Sequence, residues 1–285
     1  MIYKKFRKDK NRLSFTLNLF SDIIKNMLEK NHNFFCDAHF HYADSLKKES
    51  FDVFFQNWCG CSCAHSKDEW SLQFQAKKNF PKNQFFLSYG IHPQSLGFIN
   101  VQENLSFLEE LCKNKKLNAI GEIGFDFFSD EFKNHKEIQE EIFITELEIA
   151  IKYNLPVVIH CRKANEKLFE YAYLLKKVPQ VLFHSFMGSF QEAKSLLKRD
   201  INAFFSFGKQ MMKHNKNVIL CVKNLPLENL LCETDSPFQF LKGEEKTLCS
   251  EIMIIYEEFA KIRSENLEKI CFQLKNNFSR FLLIH

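Results

Sequence analysis

Acidic and imidazole side chains recur at the ends of short apolar segments along this sequence of 285 residues. The pattern occurs at residues 37–41, 121–126, 159–162, 183–186 and 233–237. A buried carboxylate or imidazole is costly unless it is paired or binds an ion, so its recurrence in segment after segment needs a common cause. A divalent metal centre, which can activate water for hydrolysis, is the simplest cause.

Six side chains in these segments are the candidate metal ligands: His39, His41, Glu122, His160, His184 and Asp235. His39 and His41 lie two residues apart at the end of an expected strand, so both point the same way and can bind one ion. The carboxylate of Glu122 can bridge two cations, with one oxygen on each. Asp235 is the natural second carboxylate, both as a ligand and as the proton acceptor for an attacking water. Glu122 and Asp235 are therefore the expected catalytic residues.

Three further side chains are weaker candidates. Arg162 could clamp a phosphate with its planar guanidinium, or it could form a structural ion pair. Asp126 could orient a metal ligand from behind. His92 could contact substrate, or it could only support the loop before Pro93. A single histidine at a strand end is more often a hydrogen-bonded core residue than a ligand, so ligation is favoured only by the joint occurrence of all the motifs.

The apolar segments alternate with helical patterns, which is typical of βαβ units. Strands are expected near residues 34–38, 53–61, 85–91, 118–123, 156–160, 181–184, 202–206 and 229–233. Helices are expected at residues 103–113, 138–152, 164–176, 190–198, 216–223, 246–263 and 264–283. This order predicts an α/β fold, a (β/α)8 TIM barrel. The candidate ligands follow strands 1, 4, 5, 6 and 8, at the C-terminal mouth where such barrels carry their catalytic groups.

Residues 1–33 differ from the rest of the chain. They begin with a run of basic residues, and apolar residues then follow at helical spacing. We expect a packed or frayed extra helix more than a membrane-surface or nucleic-acid arm, and Met27 is an alternative start. Residues 34–285 are expected to form the barrel domain.

Composition places further bounds on function. The formal net charge of +4 is too small to argue for nucleic acid by itself. Ten cysteines without a secretory signal, and the lack of a long apolar run, predict a soluble cytoplasmic protein with no membrane partner. Cys59, Cys61, Cys63 and His65 invite a zinc interpretation. Their alternation favours strand 2 instead, followed by a capping box that begins at Ser66.

Together these motifs resemble the TatD family of metal-dependent deoxyribonucleases, within the amidohydrolase-like TIM barrels. Residues 90–93, Gly-Ile-His-Pro, and residues 121–164 add to the resemblance. The chain departs from the family pattern at residues 238–245, which lack an Arg-Gly-Lys-x-Asn-Glu-Pro segment. It also departs at Lys163, where an acidic residue is common, and at residues 207–211. With these phosphate-binding donors missing, Arg162 and one of Lys209 or Lys242 are expected to contact phosphates.

The resemblance implies a metal-dependent phosphodiester hydrolase that acts on DNA as an exonuclease, with two divalent ions that share a bridging water. One ion would bind His39, His41, Glu122 and Asp235, and the other would bind Glu122, His160 and His184. Mg, Mn and Zn all suit such ligands. Two alternatives stay open. One is hydrolysis of an amide, lactone or aminoacyl ester on the same barrel, and the other is a binding or scaffold protein without activity.

Overall fold

The structure is a computed structural model that describes residues 33–45, 57–81 and 84–284. Its eight strands lie in one sheet, with each strand paired in parallel to the next along the chain. They are β1 (Phe35–Phe40), β2 (Trp58–Ala64), β3 (Phe85–Tyr89), β4 (Ala119–Asp126), β5 (Val157–Arg162), β6 (Val181–Phe183), β7 (Ala203–Phe207) and β8 (Leu230–Cys232). A parallel sheet in sequential order, with helices in its connections, is a TIM barrel. The predicted fold class is confirmed.

The barrel closes where the chain beyond β8 meets β1. The Asp235 amide donates a hydrogen bond of 3.0 Å to the His39 carbonyl. Deeper in this seam, the buried carboxylate of Asp37 accepts two hydrogen bonds from Thr234, one from its amide at 2.9 Å and one from its hydroxyl at 2.6 Å. Closure therefore brings the loop after β8 against the end of β1.

Helices occupy the connections between the strands and the chain after β8. The α-helices are α1 (Tyr42–Ser45), α2 (Lys67–Ala76), α3 (Val101–Lys113), α4 (Asp130–Lys133), α5 (Lys136–Tyr153), α6 (Asn165–Glu170), α7 (Ala172–Leu175), α8 (Phe190–Leu197), α9 (Lys216–Asn224), α10 (Ile252–Arg263) and α11 (Leu267–Phe281). Short 3-10 turns lie at Lys77–Asn79, Pro93–Ser95, Lys209–Met211, Leu227–Asn229 and Cys249–Glu251. The predicted helix at 164–176 is divided into α6 and α7, and the one predicted at 246–263 begins only at Ile252.

Strand β2 ends later than predicted. It reaches Ala64, so Cys63 lies inside the strand and His65 follows it directly. Every residue of β2 is buried, and a strand buried on both faces gives no alternation from which its ends could be read. The cap of α2 is as expected at Ser66, whose hydroxyl accepts a hydrogen bond of 3.2 Å from the Glu69 amide.

One apolar cluster fills the barrel toward the amino ends of its strands. Every strand contributes to it, and side chains at the end of α11 pack against it: Cys36, Ala38, Cys59, Cys61, Phe86, Ala119, Val158, Leu182, Phe204, Leu231, Phe278, Phe281 and Leu282. The candidate ligands lie farther along the same strands. The packed core is therefore separate from the chemistry-bearing end of the barrel.

Two predictions fall on parts of the chain that the structure does not describe. Residues 1–32, with the alternative start at Met27, lie outside the described residues, as do residues 53–56 of the predicted second strand. The domain boundary at residue 34 stays a prediction. Across the described ranges, no helix combines the length and the apolar character that a membrane span requires.

Candidate metal centre

Five of the six side chains predicted as ligands lie around the carboxylate of the sixth, Glu122 on β4. Oε2 of Glu122 faces Nε2 of His39 at 3.2 Å and Nε2 of His41 at 3.6 Å. Oε1 faces Nδ1 of His160 and Nε2 of His184, both at 2.6 Å. The two oxygens of one carboxylate therefore face two separate pairs of imidazoles, as they would in a bridging ligand.

Two glycines let β4 hold Glu122 in this position. Gly121 and Gly124 have φ angles of 134° and 133°, which side chains with a Cβ rarely adopt. A Cβ on Gly121 would lie 2.5 Å from the Val158 carbonyl oxygen, and one on Gly124 would lie 2.1 Å from that of His160. The register between β4 and β5 also shifts here, and such irregularities re-aim side chains near functional sites.

Asp235 joins the first pair of histidines from the loop after β8. Its Oδ1 lies 3.3 Å from Nε2 of His41 and 3.6 Å from Nε2 of His39. Its Oδ2 accepts a hydrogen bond of 2.9 Å from the Gln239 side chain. The φ of Asp235 is 50°, a left-handed conformation that costs about 1–3 kcal/mol unless the surroundings hold it. The seam with β1 supplies such surroundings.

Buried carboxylates stand behind the second pair of histidines. Asp126 Oδ2 lies 3.1 Å from Nε2 of His160, and Glu233 Oε1 lies 3.5 Å from Nδ1 of His184. Both nitrogens of each ring therefore face a carboxylate, and if the nitrogen that faces Glu122 ligates an ion, the proton of the neutral His160 ring lies toward Asp126. Neither Nδ1 of His184 nor Oε1 of Glu233 has a hydrogen-bond partner among the described residues. Asp126 thus lies where a residue that orients the ring of His160 would lie. Glu233 has the equivalent place behind His184, and sequence reasoning missed it although it begins the segment 233–237.

Two more histidines flank Glu122. Nε2 of His92, expected near substrate, lies 3.3 Å from Oε1 of Glu122, and its Nδ1 accepts a hydrogen bond of 3.1 Å from the Gln94 amide. Nε2 of His65 lies 3.6 Å from Oε2. His65 was not expected here, because its position invited comparison only with the neighbouring cysteines. The missed signal is that His65 directly follows a buried strand, as the other candidates do.

Charge and burial act differently on the groups of the centre. Against burial, Asp126 and Glu122 raise the pKa of His160, and Glu122 and Glu233 raise that of His184, so a metal would displace protons from these rings on binding. Burial would raise the pKa of Glu122, but the imidazoles, His184 first, outweigh it and hold that pKa well below its usual range. The pKa of Asp235 is likewise lowered, against burial, chiefly by its hydrogen bond with His41. Burial lowers the pKa of His92 to about 3, so its ring is neutral. Ionised carboxylates and neutral imidazoles are the forms that ligate.

The donor set fits a divalent metal. Four overlapping groups of three residues place their ligand atoms within 4.8 Å of one another, and three of these groups include Glu122. Nε2 of His39 and Nε2 of His41 lie 3.2 Å apart. Nε2 of His65 is buried, with no hydrogen bond to any described residue. Nitrogen and carboxylate donors gathered in this way are consistent with a metal site.

The centre opens into a cavity of about 1170 Å³ at the C-terminal mouth of the barrel. Arg162 and Phe128 line it together, with the guanidinium carbon 3.5 Å from the centroid of the ring. Phe128 and Phe238 remain 55% and 46% exposed, which is unusual for rings of this size at a polar mouth. Lys163 and Lys213 also line the cavity. Aromatic and cationic side chains therefore surround the entrance.

Lys209 does not contribute to this entrance. Its side chain is fully buried, and Nζ pairs with Glu244 at 2.6 Å and with Glu251 at 2.8 Å. The prediction that Lys209 contacts phosphate is therefore wrong, because carboxylates from the segment 238–245 and from the turn before α10 already bind it. Lys242 is exposed, but it is not among the residues that line the cavity.

Comparison with known proteins gives concordant matches. The family described as TatD related DNase matches residues 36–283, which include all the candidate ligands. The uncharacterized metal-dependent hydrolase YabD of Bacillus subtilis is 30% identical over 203 residues, 65% of this chain and 76% of the relative. The 3'-5' ssDNA/RNA exonuclease TatD of Pantoea ananatis is 28% identical over 200 residues, 66% of this chain and 74% of the relative. The crystal structure of YJJV, a TatD homolog from Escherichia coli K12, has a TM-score of 0.78 at 23% identity and covers 88% of this chain and 98% of its own.

Proposed function

Since the chain belongs to the TatD family of metal-dependent hydrolases, we propose that it hydrolyses phosphodiester bonds of DNA, as an exonuclease with two divalent ions. The observation that carries the proposal is the position of Glu122, whose two oxygens face separate sets of imidazoles within 3.6 Å. A relative described as an exonuclease on single-stranded DNA and RNA supports nucleic acid as the substrate.

The residues divide into two sets around Glu122. His39, His41 and Asp235 would hold the first ion with Oε2, and His160 and His184 would hold the second ion with Oε1. When bound, two such ions activate water and neutralise charge on the phosphate oxygens. Asp126 would keep His160 in the tautomer that presents a lone pair to the second ion, and Glu233 lies behind His184 at 3.5 Å.

Asp235 and His92 have complementary roles toward substrate. Asp235 is buried and ionised, so it can accept the proton that an attacking water loses. The Gln94 amide donates to Nδ1 of His92, so the ring proton of the neutral His92 lies on Nε2. His92 lines the cavity, and its N–H, which lies 3.3 Å from Oε1 of Glu122, would donate to a phosphate oxygen when substrate is bound.

The entrance suits a single strand. Arg162 can bind phosphate with its guanidinium fork, and the exposed rings of Phe128 and Phe238 can stack on unpaired bases. Base stacking on an aromatic side chain contributes about 1–3 kcal/mol per base, and it requires that the base be out of a duplex. We therefore expect single-stranded ends to be preferred over paired ends.

The test is cleavage of oligonucleotides labelled at one end or the other, single-stranded and duplex, with added Mg²⁺, Mn²⁺ or Zn²⁺. A lactone, an amide and an aminoacyl ester complete the panel. We expect stepwise shortening of single-stranded DNA. Glu122→Gln should lower the rate at least about 100-fold, because bound ions supply several kcal/mol of transition-state stabilisation.

Glu148→Gln is the matched control, since Glu148 is exposed on α5. It should cleave at the wild-type rate. Cleavage of the lactone, amide or ester without cleavage of DNA would contradict the proposal in favour of another hydrolase. Inertness of the metal-loaded protein toward the whole panel would favour a binding protein.

A further inference from the structure

The ring of His65 is held by two backbone contacts just after β2. Its amide donates a hydrogen bond of 2.7 Å to Glu69, and its Nδ1 lies 3.3 Å from the carbonyl oxygen of Gly90. A carbonyl can only accept, so Nδ1 of the neutral ring carries the proton. Nε2 of His65 therefore carries the lone pair.

That lone pair lies beside the first set of ligands. Nε2 of His65 is 3.6 Å from Oε2 of Glu122, and the ligand atoms of His41, His65 and Glu122 all lie within 4.8 Å of one another. The side chain of His65 is only 17% exposed, and its Nε2 makes no hydrogen bond within the described ranges. A buried ring nitrogen in this state is poised to ligate.

His92 provides the contrast. Its Nε2 lies 3.3 Å from the other oxygen of Glu122, so it is at least as close to the centre as His65. The backbone presents an amide to Nδ1 of His92, however, whereas it presents a carbonyl to Nδ1 of His65. The Nε2 of His92 is therefore a donor, whereas the Nε2 of His65 carries the lone pair that a ligand requires.

We propose that His65 is a third imidazole ligand of the first ion, beside His39 and His41. The inference rests on the assignment of that ion in the proposed function. Three imidazoles with the carboxylates of Glu122 and Asp235 make a nitrogen-rich site. Imidazole suits zinc and similar transition metals, whereas magnesium favours oxygen ligands and water, so the first position selects a zinc-class ion over magnesium.

The test is zinc binding by protein first freed of metal with a chelator, followed by calorimetry and by metal analysis of the dialysed protein. His65→Gln keeps a donor for the Gly90 carbonyl, and His65→Phe keeps the ring shape. Each variant should retain one zinc ion and bind the other with at least about 10-fold lower affinity. Removal of a residue that only supports a ligand already costs about that much, so removal of a ligand should cost at least as much. His214→Gln, at an exposed position, should bind two zinc ions as wild type does.

A readout without substitution accompanies this test. In zinc-loaded wild type, long-range proton–nitrogen spectra should show Nε2 of His65 bound to metal and Nε2 of His92 protonated. Unchanged zinc affinity in both His65 variants, or an equal loss in His214→Gln, would overturn the role of His65. Failure of wild type to bind zinc would overturn the centre itself. Neither readout depends on DNA cleavage, so a different substrate would leave the result intact.

Discussion

At the residue scale, the centre depends on which nitrogen of each ring holds the proton. Asp126 lies 3.1 Å from Nε2 of His160 and can hold the ring proton on that side when Nδ1 ligates an ion, and Glu233 lies behind His184. The backbone sets His65 and His92 in opposite tautomers. The number of ligands therefore follows from the contacts behind the rings as much as from the rings themselves.

Asp126→Asn should weaken the second ion. The asparagine oxygen can still accept from the Phe128 amide, as Oδ1 of Asp126 does at 2.8 Å. Its NH2 group would then donate to Nε2 of His160, which moves the ring proton to Nδ1 and removes the lone pair that faces Glu122. Loss of such a partner costs about 10- to 100-fold in metal affinity or activity.

The measurement is metal affinity by calorimetry, with Asp130→Asn as control because Asp130 is fully exposed on α4. The control should bind as wild type does. Wild-type affinity at both positions in Asp126→Asn would show that Asp126 does not set the tautomer of His160.

At the element scale, the strand ends carry the site. The order of the strands and the places of the six ligands could be predicted, because each ligand ends an apolar segment and parallel strands end at one mouth. The end of β2 could not be predicted, because the strand is buried throughout. His65, which directly follows that end, was therefore missed. The burial of Lys209 depends on Glu244 and Glu251, which are 35 and 42 positions away, and no local pattern encodes that pairing.

Helix α5 is tied to the loop that carries His92 through a buried carboxyl. Oε1 of Glu146 accepts a hydrogen bond of 2.7 Å from the Ile91 amide, and Oε2 has no hydrogen-bond partner among the described residues. Burial raises the pKa of Glu146 well above its ordinary value, although the hydrogen bond from the Ile91 amide opposes the rise. The folded protein therefore holds this proton more tightly than the unfolded chain does.

Glu146→Gln should change how stability depends on pH. A raised pKa in the folded state gives stability that is present below the unfolded pKa, near 4.5, and is lost as pH rises through the folded value. Glutamine does not titrate. As pH rises through that window, the free energy of unfolding of the variant should therefore increase relative to that of wild type, by up to about 1.4 kcal/mol per pH unit.

Urea unfolding at pH 5 and pH 8, at constant metal concentration, measures this difference. Glu148→Gln, on the exposed face of the same helix, is the control and should parallel wild type. A difference between Glu146→Gln and wild type that is the same at both pH values would show that Glu146 stays ionised in the folded state.

The entrance between the ends of β4 and β5 should govern DNA affinity. Arg162→Ala removes a guanidinium that can make charge-assisted hydrogen bonds of about 1.5–3 kcal/mol, so KM should rise about 10- to 100-fold. The slope of log affinity against log salt should fall by about 0.7 per lost contact with single-stranded DNA. Metal content should be unchanged, because Arg162 lies outside the ligand set.

Steady-state cleavage at several salt concentrations tests this, with Arg199→Ala as the matched control. Arg199 is also exposed and lies over a phenylalanine ring, with its guanidinium carbon 5.4 Å from the centroid of Phe169, but it does not line the cavity. An unaltered KM in Arg162→Ala, together with a steep salt dependence, would mean that another basic surface receives the DNA.

At the scale of the whole molecule, the barrel separates stability from chemistry. The apolar cluster draws on every strand and on α11, whereas the ligands lie at the opposite ends of the strands. Substitution at the mouth should therefore leave the cooperative unfolding of the core largely intact.

A chain that begins at Met27 should fold, bind metal and cleave DNA as the full chain does. All eight strands and all the candidate ligands lie after residue 34, and the described barrel begins with β1 at Phe35. Thermal unfolding, metal analysis and the oligonucleotide assay compare the two chains directly. Loss of solubility in the shorter chain would show that residues before Met27 cover an apolar surface of the barrel.

The number and position of bound ions test the central claim most directly. Crystals grown with Mn²⁺ should give two anomalous peaks, about 3.5–4 Å apart, as in other two-metal sites. One peak should lie among His39, His41, Asp235 and Oε2 of Glu122, and the other among His160, His184 and Oε1. A single peak, or two peaks that Glu122 does not bridge, would contradict the account.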